Sequence, residues 1–497
     1  MGYGLPPETA MRACLAGTGL ARAIDLPEEE VGNVFYVTLL LHVGCIAFSH
    51  ETAVLFGDDL AVNRAAIRTD FTDVRQVFTV LIPGMTREMQ AGNRLKSAAT
   101  MTAKGRSFGM AHDLASCEVA RAVAQRLGLG DAVSAGLYDV HEWWNGRGAK
   151  CLRGEEIARP ARIARVATDA AVLASFGGSD AVVAGLRRRA GKTLDPEIVD
   201  RFARDADTLL AELVVEDPRA RLLEVEPAPV AEIPEADMTR VAAAFGDLVD
   251  LKTPFTHGHS GGVADLAVAA AERARIDPRT VRQLHVAALL HDVGQASVSN
   301  AVWEKPGPLT TGEWEQARLH SYLSERVMAT SAALAPMAAI AGGHHERLDG
   351  SGYHRGSRGA ELAPAARVLA AADVFQALTE PRPHRAAMGQ EQAAQTLARE
   401  AHAGRLDADA VAAVLESAGR PAVRRRHDLR PSGLTDREIE VLRLVAAGCT
   451  NLDIGRRLDI SRRTAEHHVQ HIYTKIGVSS RAAATLFALE HDLLADR

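Results

Sequence analysis

Several features that would place this chain in a specialised class are missing or scarce. Its five cysteines lie far apart without a CxxC pair, which excludes a disulfide framework and predicts reduced, buried thiols in a cytoplasmic protein. The N-terminus has no basic-then-apolar signal pattern. The longest apolar run, Val34 to Phe48, is interrupted by His42 and is shorter than the ~18 residues of a membrane span. The formal net charge of -6 is ordinary, so any nucleic-acid surface must be local.

Helical periodicity dominates the chain. Aromatic residues make up only 4% of it, Ala/Leu/Val positions repeat every three or four residues, and alternating β-branched runs are almost absent, which predicts an all-α fold. At 497 residues the chain is too long for one core and should hold about three units. Proline-rich and charged stretches predict domains at 1–215, 237–418 and 433–497, with a linker at 216–236 and a basic linker at 419–432.

The first two predicted domains resemble each other in sequence. Residues 141–148 (HEWWNGRG) echo 345–352 (HERLDGSG), and 39–44 (LLLHVG) echo 289–294 (LLHDVG), which predicts an internal duplication. In this alignment the first copy lacks the candidate metal ligands of the second, so we interpret it as a structural or sensory relic. The aligned pairs are Leu41 with His291, His42 with Asp292, Val140 with His344, Asn145 with Asp349 and Thr168 with Asp373.

Histidines and aspartates recur in the second copy where a metal site would need them. An adjacent His–Asp pair ends an apolar helix, and Gly294 is expected at the C′ position just after it. Imidazole and carboxylate together suit Fe, Mn or Co, and two such ions about 3.5–4 Å apart can share a hydroxide and bind a phosphate. A single histidine is more often a core or surface group, but the whole set favours one or two divalent transition metals, Fe or Mn. The predicted ligands are His259, His291, Asp292, His320, His344, His345 and Asp373.

The order of these residues, with 349–353 (DGSGY) after the paired histidines, resembles the HD-GYP subgroup of the HD phosphohydrolases, which are bacterial cyclic di-GMP phosphodiesterases. The likeness covers about residues 255–418 and includes 305–309 (KPGPL) and 382–385 (RPHR). It implies two HD-like helical domains, the first degenerate, and a cyclic dinucleotide or related phosphodiester as ligand. By this resemblance the substrate contacts are Lys305, Asp349, Tyr353, Arg382 and Arg385. A guanidinium fork suits a phosphate, although two exposed arginines that cap a helix are an alternative interpretation.

Three positions depart from the subgroup's pattern. The first is Gln295, which with Asp292 is a predicted catalytic position. It stands where the family has a lysine, and glutamine can donate neither a charge nor a proton. Loss of one such contact can slow a reaction about 10²–10³-fold. His354 replaces the proline of the GYP motif, and Phe255 stands where some members have a glutamate for a third metal. The resemblance therefore implies at most two metals and slow or absent turnover.

The C-terminal segment predicts four short helices joined by tight turns. Thr435 and Glu438 form a capping box before a helix that Gly448 closes, Thr450 opens a second helix, Ser461 opens a longer third helix, and a last helix is predicted over 479–491. Two helices joined by a tight turn, of which the latter is long, polar and basic at its start, are the arrangement that inserts a helix into the DNA major groove. A small helical bundle for protein contact is the alternative.

This segment, including the ending KIGVSSR at 475–481, resembles the LuxR-type helix-turn-helix over residues 433–497. The resemblance implies that 461–476 is the recognition helix, that double-stranded DNA is the partner, and that a homodimer reads a near-palindromic site. By the same resemblance the residues that face DNA are Arg462, Arg463, Thr464, His467, His468 and His471, and the phosphate contacts are Lys475 and Arg481.

The sequence as a whole predicts a cytoplasmic transcription regulator without a membrane partner. Its middle domain binds metal and a nucleotide or other phosphodiester ligand, and its last domain binds DNA. Two hypotheses remain for the middle domain. A working but slow phosphodiesterase is favoured by the full ligand set, and a sensor that binds its ligand without cleaving it is favoured by Gln295 and His354.

Overall fold

The computed structural model describes residues 6–87, 89, 91–419 and 431–494. It contains two compact units, Met1–Glu232 and Ile233–Arg497. Helices fill both units, and β-structure in the described ranges is limited to isolated bridges such as Asn145 with Arg153 and Asp349 with Arg358. The predicted all-α class is confirmed.

The first unit is built around helix Arg159–Ala174, which has one strongly apolar face. Ile163, Val166 and Ala170 follow the three-and-four spacing of such a face, and all three are fully buried. They pack in one core with residues of the first two helices, such as Leu20 and Val34. The α-helices of this unit are Pro7–Ala23, Glu28–Leu40, Ser49–Phe56, Asp59–Arg68, Val74–Gln76, Ile82–Thr86, Ala91–Leu127, Gly130–Asp139, Arg159–Ala174, Ser179–Arg189, Pro196–Arg204, Ala206–Glu212 and Pro218–Val225.

Part of the predicted linker at 216–236 is structured. Helix Pro218–Val225 buries Leu222 against Leu15 and Phe35, so this stretch packs within the first unit. Residues 420–430 of the predicted basic linker lie outside the described residues. The domain boundaries themselves stay a prediction.

The second unit begins with a helical domain whose helices start at recognisable caps. The side chain of Asp277 accepts hydrogen bonds from the backbone N–H groups of Arg279 and Thr280, and Thr310 forms a capping box with Glu313. Such caps satisfy the N–H groups that a helix start leaves without partners. The α-helices of this domain are Met238–Asp250, His259–Arg273, Pro278–Leu290, Asn300–Trp303, Thr311–Ala329, Ala335–Gly342, Pro364–Thr379, Gln390–His402 and Ala408–Ala418.

The same unit ends with the four helices that the C-terminal sequence predicts. The Thr435–Glu438 capping box is present, and Ser461 accepts a hydrogen bond from the backbone N–H of Thr464. The last helix begins at Arg481, with Ser480 as its N-cap, two residues later than the predicted start at 479. The four helices are Asp436–Ala446, Asn451–Leu458, Arg462–Ile476 and Arg481–Glu490.

Gly294 has a packing role, and its prediction as a C′ residue is wrong. It lies inside the 3-10 helix Val293–Ser297, and its φ is not positive. A Cβ atom built at Gly294 would lie 2.0 Å from the carbonyl oxygen of His320, so only glycine lets the two backbones approach this closely. Gly44 makes the same approach in the first unit, where a Cβ would lie 1.9 Å from the carbonyl oxygen of Ser116.

Other local structures recur at matching positions, as the predicted duplication requires. Glu142 accepts hydrogen bonds from the backbone N–H groups of Lys150 and Leu152. Its counterpart Glu346 accepts them from Arg355 and Ser357 in the loop after the paired histidines. One buried carboxylate thus organises the equivalent loop in each unit.

Two expectations about apolar and cysteine content need correction. The helical stretch Glu28–Phe56 is long and apolar enough to cross a membrane by length and composition, although 56% of its most apolar window is buried inside the first unit. A buried core helix can have the same length and apolar composition as a membrane span.

All five cysteines are free, and Cys151 is exposed, so the prediction of buried thiols is wrong there.

Candidate metal centre and DNA-binding surface

Five helices bring all seven predicted ligands together in the second unit. Six of the seven side chains are buried, and His345 is partly exposed. His320 and Asp373 lie within helices, His259 begins a helix, and the other four ligands follow helix ends. The packing of the helices therefore fixes the ligand positions. Ligand atoms lie within 4.8 Å of one another in three overlapping trios, which are His320, His344 and His345; His259, His291 and Asp373; and His291, Asp292 and His344.

Three of the imidazoles have a fixed tautomer. The Nδ1 atoms of His291, His320 and His344 each lie 2.5–2.6 Å from the carbonyl oxygen of the residue three positions earlier. Because a carbonyl oxygen only accepts, each Nδ1 carries the proton and donates it. In the neutral ring the Nε2 atom then presents its lone pair to the cluster, which is the arrangement of a metal-binding histidine held by a carbonyl.

These lone pairs converge on a carboxylate. Asp292 Oδ1 lies 3.3 Å from His320 Nε2 and 3.5 Å from His344 Nε2. The two Nε2 atoms lie 3.1 Å apart. Although they are buried, Asp292 Oδ1 and His291 Nε2 make no hydrogen bond of ordinary geometry. Acceptors brought together without donors destabilise one another, and a bound cation removes that cost. The residues therefore fit a divalent metal.

The electrostatics of the centre keep its carboxylates ionised. Burial opposes charge on Asp292 and Asp373, but the surrounding imidazoles lower the pKa of both below its usual range. Burial, with His344 beside it, lowers the pKa of His345 well below the ordinary value, which keeps that ring neutral. Ionised carboxylates and neutral imidazoles are the protonation states that metal ligands require.

Glu380 is a site residue that the sequence analysis missed. Its Oε2 lies 2.9 Å from His259 Nδ1, while Nε2 of the same ring lies 3.3 Å from Asp373 Oδ1. Against the effect of burial, Glu380 and Asp373 raise the pKa of His259 well above its usual value. Its spacing in the sequence could have indicated this role. Glu380 follows Asp373 by seven residues, or two helical turns, so the two lie on one face of helix Pro364–Thr379 and its C-cap.

Gln295 lies at the edge of the centre, where the resemblance had placed it. It is buried, and its side-chain amide donates a short hydrogen bond to Asp292 Oδ2. Its backbone carbonyl oxygen accepts a hydrogen bond from Trp303 Nε1 at 3.4 Å. Gln295 can therefore orient the carboxylate of Asp292, but it has no proton to give to a leaving group.

Tyr353 and His354 border the partly exposed side of the centre. The Tyr353 ring lies 4.3 Å from the His345 ring, centroid to centroid. Burial raises the pKa of Tyr353. His354, in place of the subgroup's proline, has Nδ1 3.2 Å from Ser321 Oγ and Nε2 3.6 Å from a Glu325 oxygen. His354 thus ties its loop to helix Thr311–Ala329 by side-chain contacts.

The remaining predicted substrate residues have partners of their own. Lys305 Nζ lies 2.6 Å from Glu313 Oε2, and exposed Asp349 accepts from Ser351, so neither belongs to the ligand cluster. Arg382 donates to Glu380, at 3.0 Å, and to the carbonyl oxygen of Phe255. The Arg385 guanidinium donates to several backbone carbonyl oxygens at the end of helix Pro364–Thr379, which favours the helix-capping interpretation for that residue.

The equivalent place in the first unit holds a different set of polar groups. Leu41, Val140 and Thr168, which align with ligands of the second copy, are buried. Burial lowers the pKa of His42 to about 3 and that of His141 to about 4. The trios of metal-ligating groups found in the described ranges all lie in the second unit.

Arginine and aspartate form an internal ion-pair network beside that place. Arg165 NH1 lies 3.3 Å from His141 Nδ1, and the Arg165 Nε lies 3.4 Å from Asp169 Oδ1. Asp169 also pairs with buried Arg189, at 2.6 Å. Each charge has a protein partner, which is what a buried site without a metal requires.

The recognition helix presents its predicted DNA-facing side to solvent. Helix Arg462–Ile476 buries Ala465, Val469, Ile472 and Tyr473 in the core of its domain. The positions between them face outward at helical spacing, as an inserted helix requires. Of the residues predicted to face DNA, His468 is half-buried, and the exposed ones are Arg462, Arg463, Thr464, His467 and His471.

Three residues predicted to meet DNA also hold the domain together. Lys475 Nζ and His471 Nδ1 each lie 2.8 Å from an oxygen of Glu438, a side chain that is only 5% exposed. Arg481 donates to the carbonyl oxygen of Cys449 and to the side chain of Asn451. Their contact with DNA stays a prediction, and a substitution at any of them would also break these internal contacts.

The segment 251–258, which precedes His259, touches the DNA-binding domain. His257 Nδ1 lies 2.6 Å from the carbonyl oxygen of Ala446, at the end of the first helix of that domain. A Cβ atom at Gly448 would lie 3.0 Å from Pro254, and one at Gly258 would lie 3.4 Å from Leu489. The metal centre and the DNA-binding domain therefore share one short segment of backbone.

Comparison with known families agrees with both resemblances. The family model described as an HD domain matches residues 243–410, and the model of bacterial regulatory proteins of the luxR family matches residues 432–488. The chain is 31% identical to the 3′3′-cGAMP-specific phosphodiesterase 3 of Vibrio cholerae, over 78% of this chain and 85% of that protein. It is 33% identical to a cyclic di-GMP phosphodiesterase of Pseudomonas aeruginosa, over 30% of this chain and 37% of that one.

A solved structure resembles most of the chain. The crystal structure of a cyclic GMP-AMP specific phosphodiesterase from V. cholerae matches with a TM-score of 0.57 and 26% identity, and covers 84% of this chain and 94% of that one. HD phosphohydrolases depend on metals, which agrees with the ligand cluster. The chain belongs to the HD-GYP-type family of HD-domain phosphodiesterases, and it carries a LuxR-type DNA-binding domain in addition.

Proposed function

We propose that this protein is a DNA-binding transcription regulator whose HD domain slowly hydrolyses a cyclic dinucleotide. The observation that carries the proposal is geometric: three imidazole rings whose Nδ1 atoms are held by backbone carbonyls turn their Nε2 atoms toward the buried carboxylates of the ligand cluster. The relative that is similar over most of the chain acts on 3′3′-cGAMP, so this dinucleotide is the first candidate substrate and cyclic di-GMP is the second.

The metal-holding groups would be the seven predicted ligands, with one or two ions of Fe or Mn. Such ions supply an activated water and neutralise the charge on a phosphate. The residues of the chain do the positioning. The carbonyl contacts of His291, His320 and His344 keep their lone pairs on the cluster, Glu380 holds His259, and Gln295 orients Asp292.

The substrate would approach beside His345. Its side chain is 21% exposed, whereas the other ligand side chains are at most 6% exposed. Tyr353 lies against the His345 ring on this open side. No lysine stands at position 295 to stabilise or protonate the leaving oxygen, so we expect turnover about 10²–10³-fold below that of an otherwise similar site with such a contact.

A sensor that binds without cleaving is the second candidate function, and Gln295 is the observation that favours it. Purified protein loaded with Mn or Fe is incubated with 3′3′-cGAMP and with cyclic di-GMP, and binding and product formation are measured separately. Linear product that is lost in His291→Ala/Asp292→Ala supports the enzyme. Metal-dependent binding without product supports the sensor. In that case Gln295→Lys, which restores the family's lysine, should produce measurable turnover.

The DNA-binding domain would act as a homodimer in the cytoplasm. We expect Arg463→Ala and His467→Ala to cost about 1–3 kcal/mol at one position of the site and to relax base choice there. Lys475→Ala should weaken binding to all sequences and reduce the salt dependence by about one ion. Because Lys475 also pairs with Glu438, its variant is compared with wild type by thermal unfolding. Failure of the full chain to bind any duplex DNA over a range of salt would refute this part of the proposal.

A further inference from the structure

The helix that supplies His320 to the metal centre also carries large aromatic side chains on its outer surface. On helix Thr311–Ala329, the side chains of Trp314 and Tyr322 remain 44% and 40% exposed. They are eight residues apart, with Arg318 midway, so the three lie along one face of the helix. In a chain with only 4% aromatic residues, two exposed rings on a ligand-bearing helix favour a binding surface over chance.

This surface is continuous with the open side of the metal centre. The Arg318 guanidinium carbon lies 5.8 Å from the centroid of the Trp314 ring and 5.7 Å from that of Tyr353. The Tyr353 ring in turn lies 4.3 Å from the ring of His345, the partly exposed ligand. An alternation of ring, cation and ring therefore leads from the metal ligands to the protein surface.

We infer that Trp314, Arg318 and Tyr353 form a subsite that stacks a purine base of the bound dinucleotide, an inference that rests on the proposed function. A phosphodiester at the metal ligands must place its bases to either side, and the aromatic ladder is the surface that starts beside His345. Aromatic faces stack bases of any sequence, and a guanidinium adds cation–π attraction. Trp314 is the outermost ring, and its removal leaves every metal ligand and its contacts in place.

Trp314→Ala in the full chain loaded with Mn tests the subsite. Leu319→Ala is the matched control, because Leu319 is a similarly exposed apolar residue, at 47%, on another face of the same helix. Affinity for 3′3′-cGAMP is measured by calorimetry, with inorganic phosphate as a ligand without a base. Stacking of one base accounts for about 1–3 kcal/mol, so affinity for the dinucleotide should fall about 5- to 150-fold in Trp314→Ala. Metal content and phosphate affinity should stay at wild-type values.

Arg318→Ala gives a second measure, with a smaller loss expected in the same direction. Equal dinucleotide affinities in Trp314→Ala, Leu319→Ala and wild type would overturn the subsite while leaving the proposed function intact. An equal loss of affinity for inorganic phosphate would also overturn it, because the effect would then not concern the base. If wild type binds metal but neither 3′3′-cGAMP nor cyclic di-GMP, the proposed ligand class fails and the subsite with it.

Discussion

The two copies of the HD-like fold share their packing and differ in their chemistry. Gly44 and Gly294 allow the same close backbone approach, and the same kind of glutamate organises the loop after the histidine position. Where the second copy has ligands, the first has Leu41 and Val140. The comparison teaches that the close backbone approach and the loop contacts do not require the ligand side chains, because the first copy keeps both without them.

The largest expected effect separates the copies by metal content. Wild-type full-length protein made with metal supplied should contain up to two equivalents of Fe or Mn by elemental analysis. His291→Ala/Asp292→Ala should contain none, because it removes ligands from two of the three trios and the first copy offers no replacement. Stoichiometric metal that remains in the double variant would contradict the assignment of His291 and Asp292 as essential ligands.

The shared glycines provide the next comparison. Gly44→Ala and Gly294→Ala should each destabilise their own unit by about 3 kcal/mol or more, because each Cβ would overlap a backbone carbonyl that cannot move away. Thermal unfolding measures the loss, and Gly312→Ala, at a position with open space around it, is the control. Only Gly294→Ala should also lower the metal content. Retention of full stability by both variants would contradict the packing role.

Glu380 sharpens the comparison at the level of a single contact. Glu380→Gln should weaken metal binding about 10- to 100-fold, since carboxylates that orient ligating histidines typically contribute that much. Glu325→Gln is the matched control, because Glu325 faces His354, which is not a ligand, and has the same 16% side-chain exposure as Glu380. Chelator competition measures both affinities. Equal affinities in the two variants would remove Glu380 from the site.

The smallest effect concerns acid. The pKa values of His42 and His141 are lowered by burial, to about 3 and about 4, so the folded first unit keeps both rings neutral while the unfolded chain protonates them. Above pH about 6.5 these two histidines do not lower the free energy of unfolding. As the pH drops from there toward 4, protonation of the unfolded chain lowers that free energy, by about 1–2 kcal/mol per ring at pH 5.5. His141→Gln should flatten the pH dependence of unfolding by about one proton, and an unchanged slope would contradict it.

Much of this architecture could be predicted from the sequence because it depends on local patterns. The helix periodicity, the Thr435–Glu438 capping box and the chain order of the seven ligands are all visible in one dimension. Glu380 was missed because its role depends on a contact across 121 residues, with His259. The error at Gly294 has the same cause, since a glycine after a helix is usually a C′ residue and only the neighbouring backbone of His320 shows otherwise.

The partners of the arginines and lysines could not be predicted from the sequence. A long cationic side chain can reach many acceptors, so sequence spacing does not fix its partner. Arg385 binds backbone carbonyls, Lys305 pairs with Glu313, and Lys475 pairs with Glu438. Each was predicted by resemblance to contact substrate or DNA, and each also has an intramolecular partner in the folded chain.

The short segment 251–258 connects the candidate metal centre to the DNA-binding domain. Its backbone continues directly into His259 and meets the DNA-binding domain at Ala446 and Leu489. If capture of an ion changes how tightly that contact is held, the free energies are reciprocal, and operator DNA must change the dissociation constant of the ion by the same factor. Under the proposed function, DNA binding would then respond to the ion as well as to the dinucleotide.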